Sequence, residues 1–271
     1  MKLQNKCALV LGATKGIGRE IAIYLASRGV TVAITYFDWP EESKETCRTM
    51  SELGCKNIAI KTDLRSPTDV ENLVNELKTR FDCLDILINN IERGGMPIVH
   101  GEYTSDQWDL ELETTLKAKR WIFKHTLPLL KKSGNGSVIN ISSIAGLIGR
   151  SGPAALIFND GYSAANRAIS LLTETWAREA APEVRVNELM LGFFETRHAQ
   201  RTRGWDLLSP AEQQAIIDHT LVGRSGKHQD AIKAIRYLIE DGDYLTGTTL
   251  RLDGGYLLGG SKVPPMPKGV V

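Results

Sequence analysis

Gly12-Ala13-Thr14-Lys15-Gly16-Ile17-Gly18 follows the apolar run Cys7-Ala8-Leu9-Val10-Leu11 and leads straight into a stretch of helical periodicity. This order of apolar strand, glycine-rich turn and amphipathic helix decides the fold. Ile17, Ile21, Tyr24, Leu25 and Ala26 share one helical face, and Gly29 is placed to close the helix in the left-handed conformation. Such a turn suits a pyrophosphate, because phosphate oxygens reach the unpaired N–H groups of a helix N-terminus only where no Cβ blocks the approach. The spacing is G-x-x-x-G-x-G, not the G-x-G-x-x-G of the common dinucleotide fingerprint. Taken alone, the glycines therefore fit either a phosphate cradle or a tight strand-to-helix turn.

The same alternation continues outward along the chain. Short β-branched and apolar runs at about 7–11, 31–36, 57–60, 85–88, 138–142, 184–187 and 249–252 predict strands. Between them, amphipathic stretches at about 17–28, 42–53, 67–81, 105–131, 161–180, 209–219 and 228–239 predict helices. Strand and helix in strict alternation mean a parallel sheet with crossover helices. No linker rich in proline, glycine or serine interrupts the pattern, so residues 1–260 read as one domain. The stretch 261–271 carries Pro264, Pro265 and Pro267, which cannot continue a helix or central strand, and reads as a tail.

Composition narrows the function. With 33 Lys+Arg against 32 Asp+Glu the formal charge is +1, so no large net field draws the chain to nucleic acid or to an anionic membrane. No apolar run approaches the roughly 20 residues of a membrane span, and the first residues lack the layout of a signal peptide. Cys7, Cys47, Cys55 and Cys83 form neither a C-x-x-C pair nor a cluster with histidine at zinc-ligand spacing. His100, His125, His219 and His228 are likewise scattered and read as ordinary surface or core residues. The expectation is a cytoplasmic protein with a small-molecule partner and no metal.

Further motifs recur in order: Asp63-Leu64 after the third strand, Asn89-Asn90 after the fourth, Asn140-Ile141-Ser142-Ser143 at the fifth. Then come Tyr162, Arg185-Val186-Asn187, Gly192 with Thr196, Thr246-Gly247 and Asp253-Gly254-Gly255. With this set the chain resembles the short-chain dehydrogenase/reductase family from about Leu3 to Gly260, and is similar to its 3-oxoacyl-carrier-protein reductases. The resemblance implies a single-domain α/β fold, a doubly wound, three-layer, Rossmann-like parallel sheet. It also implies a nicotinamide dinucleotide. Gly12, Gly16, Gly18 and the backbone from Thr14 through Lys15 to Ile17 would hold the pyrophosphate. Asp63 and Leu64 would meet the adenine, Asn89, Asn90 and Ile91 the adenosine side and the sheet, and Gly192 and Thr196 the nicotinamide.

Which dinucleotide follows from charge beside the adenosine ribose. An acidic residue at the end of the second strand accepts from a 2′-hydroxyl and repels a 2′-phosphate. That position is Tyr36, and Lys15 lies in the turn where relatives that prefer NADP often carry a base. NADP(H) is therefore favoured, with NAD(H) as the alternative, since Phe37 stands where many such relatives have arginine and Asp38 is adjacent.

The catalytic pattern departs from the family. Its usual Asn-Ser-Tyr-Lys set pairs a tyrosine acid/base with a serine that orients the carbonyl and a lysine that lowers the tyrosine pKa and holds the nicotinamide ribose. Ser143 and Tyr162 match the serine and tyrosine, Asn166 replaces the lysine, and Thr115 replaces the asparagine. An unperturbed tyrosine at pH 7 pays roughly 4 kcal/mol to ionise. Asn166 offers hydrogen bonds to ribose hydroxyls but no charge. Tyr162 also lies 19 positions after Ser143, a long gap that leaves open whether the two meet around one carbonyl. Ile91-Glu92-Arg93-Gly94-Gly95 stands where relatives have Ala-Gly, and Glu92 is either a substitute acid/base or a solvated partner of Arg93.

Between Gly192 and Lys227, Arg197, His198, Arg201, Arg203 and Trp205 occupy a region that resembles a substrate lid. Their charge either greets an acidic or phosphopantetheine-bound substrate or faces water. The leading expectation is an NADP(H)-dependent oxidoreductase acting on a carbonyl or acyl substrate, with Tyr162 as proton donor. The alternatives are a cofactor-binding relative without turnover (sensor, scaffold or partner subunit) and a non-redox lyase or isomerase. The resemblance further implies a homodimer or homotetramer built on the helices around 105–131 and 161–180.

Overall fold

The computed structural model describes residues 1–91, 104–195, 205, 208–260, 263–267 and 269. In chain order the elements run β1 (Cys7–Val10), α1 (Gly16–Ser27), β2 (Thr31–Tyr36), α2 (Pro40–Glu52), β3 (Asn57–Lys61), α3 (Pro67–Arg80) and β4 (Ile86–Asn89). After β4 come α4 (Ser105–Glu111), a π-helical segment (Leu112–Lys117), α5 (Ala118–Lys132), β5 (Gly136–Ser143) and the single turn α6 (Ala145–Ile148). The chain continues through α7 (Asp160–Ala180), β6 (Val184–Leu191), α8 (Pro210–His219), α9 (His228–Arg236) and β7 (Thr249–Leu252).

All neighbouring strands pair in parallel, in the order β3-β2-β1-β4-β5-β6-β7. The period of two along each strand builds the layers. Ala8 and Val10 point to one face, beneath α1 and α9, while Leu9 and Leu11 point to the other, beneath α3, α5 and the C-terminal part of α7. The strand order reverses between β1 and β4, the switch point at which a parallel sheet opens a crevice beyond its strand ends. A third apolar cluster, including Phe158, Tyr162, Phe193, Trp205 and Tyr256, packs beside that crevice.

The first helix ends as its sequence predicts. Gly29 adopts φ +78°, with its N–H donating to Ala26 O and that of Val30 to Leu25 O, the paired bonds of a Schellman cap. Ile17 and Tyr24 are only half-buried on the apolar face, which Ile21, Leu25 and Ala26 fill together with Gly18 and Ala22.

Two predicted helices differ, the stretch 228–239 passing from α9 into a π-helical turn at Tyr237–Asp241. The stretch 105–131 is not continuous: α4 gives way to the π segment before α5 resumes, and Thr114 and Thr115 lie within the widened turn. Such bulges shift the register of a helix face by one residue and occur preferentially at functional sites. The long gap between Ser143 and Tyr162 is filled by α6 and a 3₁₀ turn at Gly152–Leu156. Val263 to Pro267 are exposed and carry no regular structure. Among the described residues, no helix is long and apolar enough to cross a membrane.

Candidate active site

The crevice at the switch point is a cleft of about 690 Å³. Its lining gathers residues that are far apart in sequence: Gly12, Thr14, Lys15, Gly16 and Ile17 from the first turn, Tyr36 from β2, and Asp63 and Leu64 after β3. Asn90 and Ile91 follow β4, Ser143 ends β5, Tyr162 opens α7, and Gly192 follows β6.

The glycines divide by task. At Gly18 a Cβ would stand 2.4 Å from Gly12 O and 2.5 Å from Asn90 Nδ2, so this residue lets α1 close against the strand ends and does not itself border the cleft. Gly12, at φ +60°, would place a Cβ 2.4 Å from Asn90 O. Gly16, at φ +57°, has nothing within 4 Å of the corresponding point. The space a side chain would fill there lies open in front of the first N–H groups of α1. That is the cradle a pyrophosphate requires, and the fit holds on geometry as well as on spacing.

At the adenosine end the walls are aromatic and charged. Lys15 Nζ lies 3.4 Å from the centroid of the Trp39 ring and 2.9 Å from Glu42 Oε1. Both partners of that ion pair are about half exposed, so the pair contributes little, and an anionic ligand competes for the lysine easily. Arg65 grips Asp63 through two bonds of 2.8 and 2.6 Å and lies over Phe37. The sequence reading did not anticipate Trp39 or Arg65 as cleft residues. The signal available was only their nearness to Lys15 and Asp63.

At the other end, Ser143 and Tyr162 line the same cleft. Asn166 joins them from behind: its Oδ1 accepts from Ser143 N–H at 3.0 Å, and its Nδ2 donates to Tyr162 O at 3.0 Å. Ser143 Oγ accepts from Ala145 N–H at 3.1 Å, which leaves its own proton free to donate forward. Phe158 and Phe193 stack beside Tyr162 with centroids 5.9 and 5.7 Å apart along the chain of rings, giving this end an apolar wall.

Three expected positions do something else. Asn166 is fully buried and outside the cleft lining, so the expectation that it holds the ribose gives way to a backbone-bracing role. Asn89 is also buried away from the cleft, where its Nδ2 donates to Asn140 Oδ1 at 3.1 Å and thereby ties β4 to β5. Thr115 is fully buried, and its Oγ1 has no hydrogen-bond partner among the described residues. It is Thr114, one residue earlier on the π segment, that reaches the cleft. Thr196, Glu92, Arg197, His198, Arg201 and Arg203 lie outside the described residues. His228, read from sequence as ordinary, lines the cleft at the start of α9, and its Nε2 is buried without a hydrogen-bond partner among the described residues.

Comparison with known proteins agrees with this geometry. The model of the family described as enoyl-(acyl carrier protein) reductase matches residues 12–257. The 3-oxoacyl-[acyl-carrier-protein] reductase of Escherichia coli is 30% identical over 260 residues, covering 94% of this chain and 98% of that protein. The enzyme of the same name from Staphylococcus aureus is 29% identical over 255 residues, covering 93% and 98%. A solved structure from Burkholderia xenovorans, described as a short-chain dehydrogenase/reductase, superposes with a TM-score of 0.81 at 27% identity, covering 96% of this chain and 99% of that one. Another from Sinorhizobium meliloti, described as a short-chain alcohol dehydrogenase, gives a TM-score of 0.81 at 25% identity, covering 94% and 98%. The glycine cradle, the sheet order and a match along nearly the whole chain lead to one conclusion: this protein belongs to the short-chain dehydrogenase/reductase family and is an oxidoreductase that works with a nicotinamide dinucleotide.

Proposed function

We propose that the protein is an NADP(H)-dependent oxidoreductase that interconverts a carbonyl and an alcohol, with a 3-oxoacyl compound as the substrate class. The observation that carries this reading is that Ser143 and Tyr162 line the same cleft as the open glycine cradle. When bound, the dinucleotide supplies or accepts the hydride. The chain's own residues do the rest. Gly16 and the N-terminus of α1 hold the pyrophosphate, Ser143 donates to the carbonyl oxygen, and Tyr162 delivers the proton to that oxygen as it becomes a hydroxyl. Phe158 and Phe193 exclude water from the reacting end.

The choice of NADP(H) rests on Lys15 and on the absence of a carboxylate at Tyr36, which leaves a 2′-phosphate attracted rather than repelled. Asp38 also lines this end and opposes the preference, so NAD(H) is the alternative. Homology to acyl-carrier-protein reductases supports the 3-oxoacyl class. Assembly as a homodimer or homotetramer and a cytoplasmic location complete the reading.

Oxidation of NADPH followed by absorbance, with a panel of 3-oxoacyl thioesters and simple ketones, tests it. Turnover that collapses in Tyr162→Phe is the expected result. Tight NADPH binding without oxidation across the panel would instead favour a relative that binds the cofactor without turnover. Asn166 is the observation behind that second reading, since it brings no charge to the tyrosine.

A further inference from the structure

The family's lysine is missing from position 166, yet a lysine is buried nearby. Lys119, near the start of α5, is fully buried, and its Nζ donates to Ile141 O. The reason this carbonyl is available lies in the sheet. Along β5, alternate residues turn their backbone groups to β4 and to β6: Ser137 N–H donates to Asp85 O before β4, whereas Gly136 N–H donates to Glu183 O before β6. Ile141 and Ser143 therefore face the β4 side. However, the β4 ladder stops at the pair Asn89 and Asn140, so two polar groups of β5 outlast their partner strand. Buried backbone groups of this kind need other partners. The Asn166 amide takes Ser143 N–H, and the Lys119 ammonium takes Ile141 O.

Ile141 and Ser143 both line the cleft and are two residues apart on one strand, which sets their Cα atoms about 6.6 Å apart. The ammonium is thus fixed under the cleft floor, next along the strand from the amide that occupies the family's lysine position. We propose that Lys119 supplies, from beneath β5, the positive charge that favours the Tyr162 phenolate and that Asn166 no longer provides. This rests on the reading of Tyr162 as the acid/base. The protein thereby keeps a cation near its tyrosine while moving it from α7 to α5, and the vacated position becomes a brace between Ser143 and Tyr162.

Other titratable groups stand on the elements around the same cleft. On α4, Glu111 is buried and accepts from Asn159 Nδ2 at 3.2 Å, just before α7. On β6, Glu188 is buried and accepts from the hydroxyls of Ser142, Ser170 and Thr249. Glu195 and His228 stand on the cleft rim, and Tyr256 shares the apolar cluster with Tyr162. These buried carboxylates on neighbouring elements bring no positive charge to the cleft, so a cation on the β5 side has a measurable task. At an effective dielectric constant of about 20, a unit charge shifts the titration of a group roughly 12 Å away by about one pH unit.

The test follows the ionisation of Tyr162 directly. Phenolate absorbance is titrated in each protein and in its Tyr162→Phe counterpart, and the difference isolates the one ring. Lys119→Met, which replaces the buried ammonium with an apolar chain of similar length, is expected to raise the midpoint by about one pH unit. Adding Asn166→Lys to Lys119→Met is expected to bring it back down. A midpoint unmoved by Lys119→Met overturns the proposal, as does a midpoint that rises in Lys119→Met and stays raised in the double variant. Because the readout needs no turnover, failure of the oxidoreductase reading registers separately, in the carbonyl panel.

Discussion

The two ends of the cleft have kept different things. At the pyrophosphate end the geometry is fixed by backbone: Gly12 and Gly18 each lie where an added Cβ would come within 2.4 Å of a carbonyl oxygen, and no other residue type satisfies that packing. At the reacting end the chemistry depends on side-chain charge and hydroxyls, which neighbouring positions can supply. Asn166 and Thr115 occupy positions where the family usually has lysine and asparagine, yet Ser143 and Tyr162 still line one cleft. A site built on close backbone approach tolerates little change, while a site built on electrostatics tolerates relocation, because a charge acts over several ångströms.

The largest test of that contrast is at the glycines. Gly18→Val drives atoms into Gly12 O and Asn90, so NADPH affinity is expected to fall by more than about 100-fold, with overpacking costing about 1–3 kcal/mol of stability. Gly16→Ala meets no atom and carries mainly the left-handed backbone penalty, about 1–2 kcal/mol. Urea denaturation and fluorescence titration of the two variants check this. Equal losses in both would break the distinction between packing glycine and cradle glycine.

At the reacting end, Tyr162→Phe is expected to lower kcat by about 10²- to 10⁴-fold while leaving NADPH affinity nearly unchanged. Single-turnover absorbance with a responsive ketone separates the two effects. A parallel loss of binding would mean that the ring serves the cofactor rather than the proton. Asn166→Ala leaves the buried Ser143 N–H without its acceptor, and chemical denaturation should show a cost of about 1–3 kcal/mol. No change in stability would contradict its role as a brace.

The smallest expected effect lies at the adenosine rim. Lys15→Ala should weaken NADPH by about two- to fivefold and leave NADH unaffected, since an exposed lysine contributes at most about 1 kcal/mol. Comparison of the two dissociation constants at constant salt reads this out. Equal weakening of both cofactors would place the lysine on the pyrophosphate rather than on the 2′-phosphate.

Backbone-driven features were legible in the sequence. The alternation of apolar runs and amphipathic stretches located every strand of the sheet, and Gly12, Gly16 and Gly18 marked the strand-to-helix turn that borders the cleft, because each reports a local requirement of its own residues. What escaped depends on three-dimensional accidents. The π segment around Thr115 is a one-residue shift inside a helix, too short to disturb a periodicity read over several turns. Lys119 reads as one more polar residue of an amphipathic helix. Its burial follows from β5 outlasting β4, and nothing in the one-dimensional pattern records where one strand ends relative to another. Trp39, Arg65 and His228 reach the cleft because three separate loops converge at the switch point. The 19-position gap after Ser143 left open whether it shares a site with Tyr162; the gap is taken up by α6 and a 3₁₀ turn, and both residues line the same cleft.

The central claim is that this cleft holds a nicotinamide dinucleotide. Fluorescence titration of the unmodified protein with NADPH and with NADH measures it directly. Saturable binding of both at one site per chain, tighter for NADPH, is the predicted result. Failure of both dinucleotides to bind would contradict the account at its root, however well the fold matches its relatives.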